Sequence, residues 1–417
     1  MNGIGQEKEP PPSAPILTVD QIANHVLQKN PEANFYRAEI AAAKGERRAA
    51  GTLANPELSA QAGGKRQAES GGLAGEGLAW SVAVNQTFEF PGRLALRKAI
   101  ANRQLQLAEL GYAQFQASLT AKARQLGLAV LSAQERANAA TQVANRAREL
   151  ATVMVRRDPA GVSPLLETRI LEASAITFMR RSAEAHKELQ RALTELNQLR
   201  GAPLQARLLI ARENQNHLSP PPLEELLASA RTNNFSLRMR QVELEQQGIR
   251  VDLARNERYP TVTVGPYYSE EKARDFERQA GVGISLPLPL WNRNQSNIEI
   301  ASARKAQAET SLLVAQRELE KGLVQAVATY ETALAQMRHW PANALRHFQD
   351  AAELGDRHYR LGAIPVATYV ELQKEYLDAI EAILTTEADA DAAQSEMRLL
   401  AGWIQPSPAP GASAPKP

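Results

Sequence analysis

The feature that constrains this chain most is an internal duplication with a period of about 200 residues, far longer than the repeats that build solenoids. Val19-Asp20-Gln21-Ile22-Ala23 is followed by Asn30 and then by Asn55-Pro56-Glu57-Leu58. Leu223-Glu224-Glu225-Leu226-Leu227 is followed, at the same spacing, by Asn234 and Tyr259-Pro260-Thr261-Val262. Each copy then reads helix, strand, strand, long helix, shorter helix. The 417 residues would otherwise suggest two or three unrelated domains. The duplication instead divides them into a disordered segment 1–17, a first repeat 18–201, a connector 202–221, a second repeat 222–403 and a disordered Pro/Ala-rich tail 404–417.

The strands are read from period-two alternation. In the first copy Trp80, Val82, Val84, Phe88 and Phe90 share one face, with Gln86 as the polar exception. Ser81, Ala83, Asn85, Thr87 and Glu89 share the other. In the second copy Val282, Ile284, Leu286, Leu288 and Leu290 oppose Gly281, Gly283, Ser285, Pro287 and Pro289. Shorter strands are expected just before these, over Leu58 to Gly64 and Thr261 to Tyr268. Two ordinary hairpins on a soluble core would alternate in the same way. Here, however, each hairpin is flanked by very long helices, and no other strand is expected to pair with it.

The segment from Leu94 to Arg157 contains no proline. As one helix it would run ~95 Å. Leu105, Tyr112, Leu119, Leu126, Ala133, Ala140 and Ala147 recur at steps of seven, and Ala123, Val130, Ala137, Ala144 and Ala151 form a second seam. A sustained seven-residue repeat implies a supercoiled seam, and alanine lets helix backbones approach. The counterpart, Asn297 to Arg357, is expected to kink at Pro341. Val19 to Leu53 and Pro164 to Arg200 are each about half as long, so two such helices stacked end to end match one long helix.

Composition excludes several classes. There are 48 basic and 46 acidic residues, net +2, without the basic excess of a nucleic-acid binder. The absence of cysteine removes disulfides, thiolate metal sites and cysteine nucleophiles together. No apolar run approaches the ~20 residues of a membrane-spanning helix. Alternating strands of a β-barrel escape that test. Met1 to Pro15 has no apolar leader core, so a secreted reading supposes a leader outside this sequence. His339, His347 and His358 are too far apart along a helix to chelate one ion, which needs steps near three or four. Neither HExxH nor a phosphate-cradling GxxxxGK[ST] loop occurs, no catalytic set is recognisable, and no cofactor or metal is expected.

Helix, hairpin, long helix and half helix, performed twice, resembles the layout of the TolC-like outer-membrane efflux proteins. Local motifs agree: Leu286-Pro287-Leu288-Pro289-Leu290-Trp291-Asn292-Arg293-Asn294-Gln295 where strand meets helix in the second copy, and Phe88-Glu89-Phe90-Pro91-Gly92-Arg93 in the first. The far helical turns read Gly161-Val162-Ser163-Pro164 and Tyr359-Arg360-Leu361-Gly362-Ala363-Ile364-Pro365. The resemblance covers residues 18 to 403, and its Leu-Pro-Leu-Pro-Leu-Trp-Asn-Arg-Asn-Gln stretch is most similar to the cobalt–zinc–cadmium resistance branch. Many members carry a lipid-bearing cysteine behind a secretion signal; neither is present here.

The resemblance implies a mainly α protein with a small β part: a long α-helical barrel in the periplasm and a transmembrane β-barrel in the outer membrane of a Gram-negative bacterium. Members are homotrimers. Physics independently asks for an oligomer, because four strands cannot close a barrel and the smallest membrane barrels have about eight. Trp80, Val82, Val84, Phe88, Phe90, Val282, Ile284 and Leu286 would face lipid, while Ser81, Asn85 and Thr263 would line the pore. Gly161, Ser163, Pro164, Tyr359, Arg360, Gly362 and Pro365 would form the periplasmic tip that docks an adaptor protein. Glu167 and Glu371 are the nearest matches to the family's cation-attracting rings, although Thr368 holds the position equivalent to Glu167. Solvated helix-face carboxylates are the competing reading of both. The expected partners are the periplasmic adaptor and a resistance-nodulation-division pump of the inner membrane, with no nucleic acid. The expected function is a passive outer-membrane duct for heavy-metal cations. The alternative from another class is a soluble coiled-coil scaffold or adaptor of the cell envelope.

Overall fold

The structure is a computed structural model and describes residues 16–69, 72–157, 165–212, 217–273, 275–341 and 343–403. In chain order its elements are β1 (Ile16–Leu17), α1 (Val19–Lys29), α2 (Glu32–Ala49), β2 (Glu57–Glu69), β3 (Gly72–Phe88), α3 (Arg93–Arg157), α4 (Leu165–Leu199), β4 (Leu209–Ile210), α5 (Leu223–Asn233), α6 (Phe235–Asn256), β5 (Val262–Lys272), β6 (Phe276–Ser285), α7 (Gln295–Met337), α8 (Ala344–Arg360) and α9 (Val366–Leu400). They form two compact units, each drawing on both copies of the repeat. One is built from Met1–Ala33, Ala113–Asn234 and Arg317–Pro417, the other from Asn34–Tyr112 and Phe235–Gln316.

The first unit is helical. α3 is one uninterrupted helix of 65 residues. Its heptad positions Leu119, Ala133, Ala140 and Ala147 are buried, as are all five of the second seam, Ala123, Val130, Ala137, Ala144 and Ala151. One core joins Val143, Ala147 and Leu150 of α3 to Leu171 and Phe178 of α4 and to Tyr369, Tyr376 and Ile380 of α9. Another joins Ile22 and Val26 of α1 to Leu119 and Val130 of α3 and Leu196 of α4. Most of the buried seam positions of α3 are alanine. A larger side chain there would overpack the seam at about 1–3 kcal/mol.

Helix ends in this unit show the duplication in atomic detail. Thr18 caps α1 with a capping box: Gln21 N donates to Thr18 Oγ1 at 3.3 Å, and Thr18 N donates to Gln21 Oε1 at 3.0 Å. Asn30, just after α1, donates from Nδ2 to Leu199 O at 3.1 Å. Its counterpart Asn234, just after α5, donates to Leu400 O at 3.0 Å. Each asparagine thus satisfies a terminal carbonyl of the helix that closes its own repeat. Gly201 and Gly402 follow those helices with φ of 66° and 72°, the left-handed conformation that ends helices at glycine.

The second unit carries a four-stranded antiparallel sheet in the order β2-β3-β5-β6. Arg93, the first residue of α3, ties that helix to the end of α6 and the segment after it. Its Nε donates to Asn256 Oδ1 at 3.1 Å, and its NH2 group donates to Asn256 O at 3.1 Å and Tyr259 O at 2.7 Å. Phe90 stacks on Tyr259 with ring centroids 4.2 Å apart.

Several expectations are corrected. The first strands of the hairpins are longer than expected, running over Glu57–Glu69 and Val262–Lys272. Ile16 and Leu17, expected in a disordered segment, form β1, which pairs in parallel with β4 in the connector. The half helix from Val19 is two helices, because Pro31 denies αR conformation to Asn30. Around Pro341 the chain breaks instead of kinking: α7 ends at Met337, and α8 starts after Asn343, which has φ 53° and ψ 49°. Phe90 and Leu286 lie beyond their strands, which end at Phe88 and Ser285. Pro287 and Pro289 have no N–H to continue the ladder, and Leu290 N instead turns back to Leu288 O at 2.9 Å. The expected tails 1–15 and 404–417 lie outside the described residues.

Candidate functional site

The sheet has two chemically different faces, and the register keeps them aligned across all four strands. Val82 pairs with Ala60 and with Tyr268, which in turn pairs with Ala280. On that face stand Leu58, Trp80, Val84, Phe88, Val262, Val264, Val282 and Ile284, so the residues expected on the apolar face share it, except Phe90, Leu286, Leu288 and Leu290, which lie beyond the strands. Trp80 and Tyr268 pack with centroids 5.5 Å apart. Several of these side chains have no cover within the chain: Ile284 is 73% and Leu58 72% exposed.

The opposite face carries Ser59, Gln61, Gly63, Ser81, Ala83, Asn85, Thr87, Thr263, Gly265, Tyr267, Ser269, Gly281, Gly283 and Ser285. Thr87 and Thr263 hydroxyls meet at 3.0 Å. Toward the hairpin ends, Lys65 Nζ on β2 reaches Glu271 on β5 at 2.6 Å and Glu277 on β6 at 3.1 Å. The outer edges of β2 and β6 have no strand partner among the described residues. Such a sheet, apolar on one side and polar on the other with both edges open, is suited to join copies of itself.

In the helical unit, α8 and α9 meet in a tight turn. Gly362, at φ 73°, lets its own N–H reach Tyr359 O at 2.9 Å and the Ala363 N–H reach His358 O at 2.9 Å. Pro365 precedes the first residue of α9. Tyr359 stacks on Tyr369. Arg360 Nε donates to Asp356 Oδ2 at 2.8 Å, and its guanidinium stands 3.8 Å from Glu149 of α3. One helical turn along, Arg146 of α3 bonds Glu353 of α8 at 3.0 Å. Buried Gln373 donates to Ala352 O at 2.9 Å. Burial raises the Tyr369 phenol well above its usual range, with the Asp356 charge adding to it.

The expected glutamates have different surroundings. Glu167, in the first turn of α4, lies close enough to Tyr359 for its charge to raise that phenol further, after burial. Glu371, on α9, is exposed and stands 3.6 Å from Lys374. Gly161, Ser163 and Pro164 lie outside the described residues. Among the described residues no three His, Asp or Glu side chains converge as a metal site.

A polar network that the sequence did not single out joins the connector to the helices. Arg212 bonds Glu135 of α3 at 2.6 Å and both carboxylate oxygens of Glu387 of α9 at 2.7 and 2.8 Å. One turn further along α9, Asp391 lies 3.9 Å from His217 Nδ1. Burial, then the Glu387 charge, pushes the Asp391 carboxyl up to about 7, against the opposing pull of Arg212. His217 is lowered by burial.

Known proteins share this architecture. A family model described as Outer membrane efflux protein matches residues 22–202 and 226–403, one segment per repeat. The cobalt-zinc-cadmium resistance protein CzcC of Cupriavidus metallidurans is 30% identical over 248 residues, which span 58% of this chain and 58% of that protein. The crystal structure of CusC superposes with a TM-score of 0.72 at 16% identity, over 92% of both chains. The Campylobacter jejuni CmeC outer membrane channel superposes at 0.72 with 14% identity, over 93% of this chain and 86% of that one. A membrane protein from Pseudomonas aeruginosa gives 0.73 at 17% identity, over 95% and 96%. The long helices, the doubled hairpin and the paired matches along both copies have one explanation: the chain belongs to the outer membrane efflux protein family and has its TolC-like fold.

Proposed function

We propose that this chain is one third of a passive efflux duct, in which three four-stranded sheets close a twelve-stranded barrel across the outer membrane and the helices form a periplasmic tube. The observation that carries this reading is the open sheet, apolar on one face, polar on the other and, among the described residues, unpaired at both edges. Four strands cannot close on themselves, and an apolar band outside with polar residues inside is how membrane barrels meet lipid and water. Val82, Val84, Val282 and Ile284 would face lipid, and Ser81, Asn85 and Thr263 the lumen.

The helical end supplies the rest. The α8–α9 turn at Arg360, Gly362 and Pro365, together with the sequence segment that holds Gly161, Ser163 and Pro164, is the proposed docking tip for a periplasmic adaptor. That adaptor would connect the tube to a resistance-nodulation-division pump in the inner membrane. Glu167 and Glu371 are proposed to attract cations at the tip. The similarity to CzcC supports divalent metal cations as cargo, carried as substrate through a duct without chemistry of its own.

Mass measurement on the detergent-extracted protein tests the central claim. A trimer that inserts into planar bilayers and conducts ions is the expected result. A monodisperse monomer that inserts, or a protein soluble without detergent, would overturn it. Cargo is tested separately, by whether deletion together with the cognate pump sensitises cells to zinc, cobalt and cadmium.

A further inference from the structure

On the polar face of the sheet every strand position carries a small or polar side chain except one. Tyr267 of β5 is the single aromatic residue there among the described residues. It is directly opposite Gly281 of β6, and its ring lies down on that glycine. A Cβ built on Gly281 would stand 3.0 Å from Tyr267 Cε1, 3.0 Å from its hydroxyl and 3.1 Å from Cζ. The next position on that face of β6 is again glycine, and there Tyr267 Cδ1 lies 4.0 Å from where a Cβ would be. Glycines at 281 and 283 therefore make a bed on which the ring lies along the wall. A cross-strand aromatic shielding a glycine in this way also pins strand register.

The duplication shows that the ring is specific to one hairpin. Tyr267 stands seven residues after Pro260, and Gly63 stands seven residues after Pro56 in the first copy. Gly63 is opposite Ala79, and nothing lies within 4 Å of where its Cβ would be. Each chain thus offers one ring and one bare glycine at corresponding levels.

We propose that Tyr267, held flat by Gly281, forms an aromatic collar of three rings that sets the bore of the barrel and the size of solute that can leave. The proposal rests on the reading of the polar face as the lumen. Gly281 acts as a positioning residue: any side chain there lifts the ring from the wall into the channel. Small hydrated cations would pass either way, and bulky solutes would not.

The test uses the absence of cysteine in the chain. Ser285→Cys puts a reporter thiol on the same face, on the helix side of the collar. Intact cells carrying it are treated from outside with a small charged methanethiosulfonate and with a bulky polyethylene-glycol maleimide. Both should react in the parent. Gly281→Leu should lower the bulky-to-small rate ratio by about tenfold, since exclusion in a pore depends steeply on its diameter. Adding Tyr267→Ser should restore the ratio. An unchanged ratio in an assembled Gly281→Leu trimer overturns the collar. Should that variant fail to assemble, Tyr267→Ala alone must raise the ratio, and an unchanged ratio again overturns it. A reporter thiol that the small aqueous reagent cannot reach in an assembled trimer overturns the lumen assignment and the collar together.

Discussion

The rings of Tyr359 and Tyr369 stack with centroids 4.9 Å apart and planes 20° from parallel, which clamps the end of α8 onto the first turn of α9. Tyr369 is fully buried, so the pair is anchored on one side. Such a stack contributes about 0.5–1.5 kcal/mol beyond its buried area. Tyr359→Ala should loosen the tip without dissolving the trimer, and sensitivity of cells to large antibiotics entering through the duct should rise. Gly362→Val should act differently. Its φ of 73° would be strained by about 1–3 kcal/mol with a β-branched residue, so adaptor coupling should fall while trimer and insertion persist. Full efflux with Gly362→Val would remove this turn from the docking site.

The two faces of β6 make a sharper pair. Ile284→Arg should block stable insertion, at about 2–4 kcal/mol for a cationic side chain near mid-bilayer. Ser285→Arg, one residue on, should insert normally and alter conductance. Heat-modifiable gel mobility of membrane fractions separates the outcomes, and equal effects from both would contradict the alternation.

How far the sequence carried depends on how local each feature is. The alternation over Val282 and Ile284 and the proline-free run of α3 are local patterns, and both are present in the structure. Leu286 continued the alternation in the sequence but not in the sheet, because Pro287 and Pro289 lack the N–H groups that a ladder needs; Phe90 leaves the sheet as well and stacks on Tyr259. The interruption at Pro341 was legible. Its completion by left-handed Asn343 was not, since asparagine only tolerates that conformation. Tyr369 and Arg212 were missed altogether, and Arg93 was read only as part of the turn motif, not for its bonds. Arg93 finds its acceptors 163 and 166 residues away, and no short spacing signals such a partner. The bed of Gly281 and Gly283 was visible as small residues on one face, but its occupant, Tyr267, comes from the other strand.

Glu167 and Glu371 test the tip electrostatically. If they face inward, three copies of each surround a narrow mouth whose low-dielectric walls focus their field. Glu167→Gln with Glu371→Gln should then reduce cation preference in single-channel recordings, mostly at low salt, because the Debye length falls from ~10 Å at 0.1 M to ~3 Å at 1 M. Trimer stability should barely change, as Glu371 is exposed and Glu167 only partly buried, and carboxylates open to solvent contribute little to folding. Unchanged selectivity at low salt would assign both residues to the solvated outer face.

The connector makes a prediction about pH. Asp391 is raised to about 7 in the folded protein, by burial first and by Glu387 second. Between about pH 4 and pH 7 the folded state therefore holds a proton that the unfolded chain has released, so this group's contribution to stability falls as pH rises through that window. Above it the cost of a buried charge is fully present. Asp391→Asn keeps the shape and removes the ionisation, so thermal unfolding in detergent at about pH 8 should shift upward relative to the parent, with little change at about pH 4. His217 runs the other way. Burial lowers it, the folded state holds fewer protons than the unfolded one, and its contribution rises with pH through the ordinary histidine range. With Asp391 replaced, the opposing histidine term should be uncovered and the pH dependence around neutrality should tilt toward greater stability at higher pH. Parallel melting profiles of Asp391→Asn and parent across the whole range would show that the carboxyl titrates normally and that Arg212 already holds it ionised.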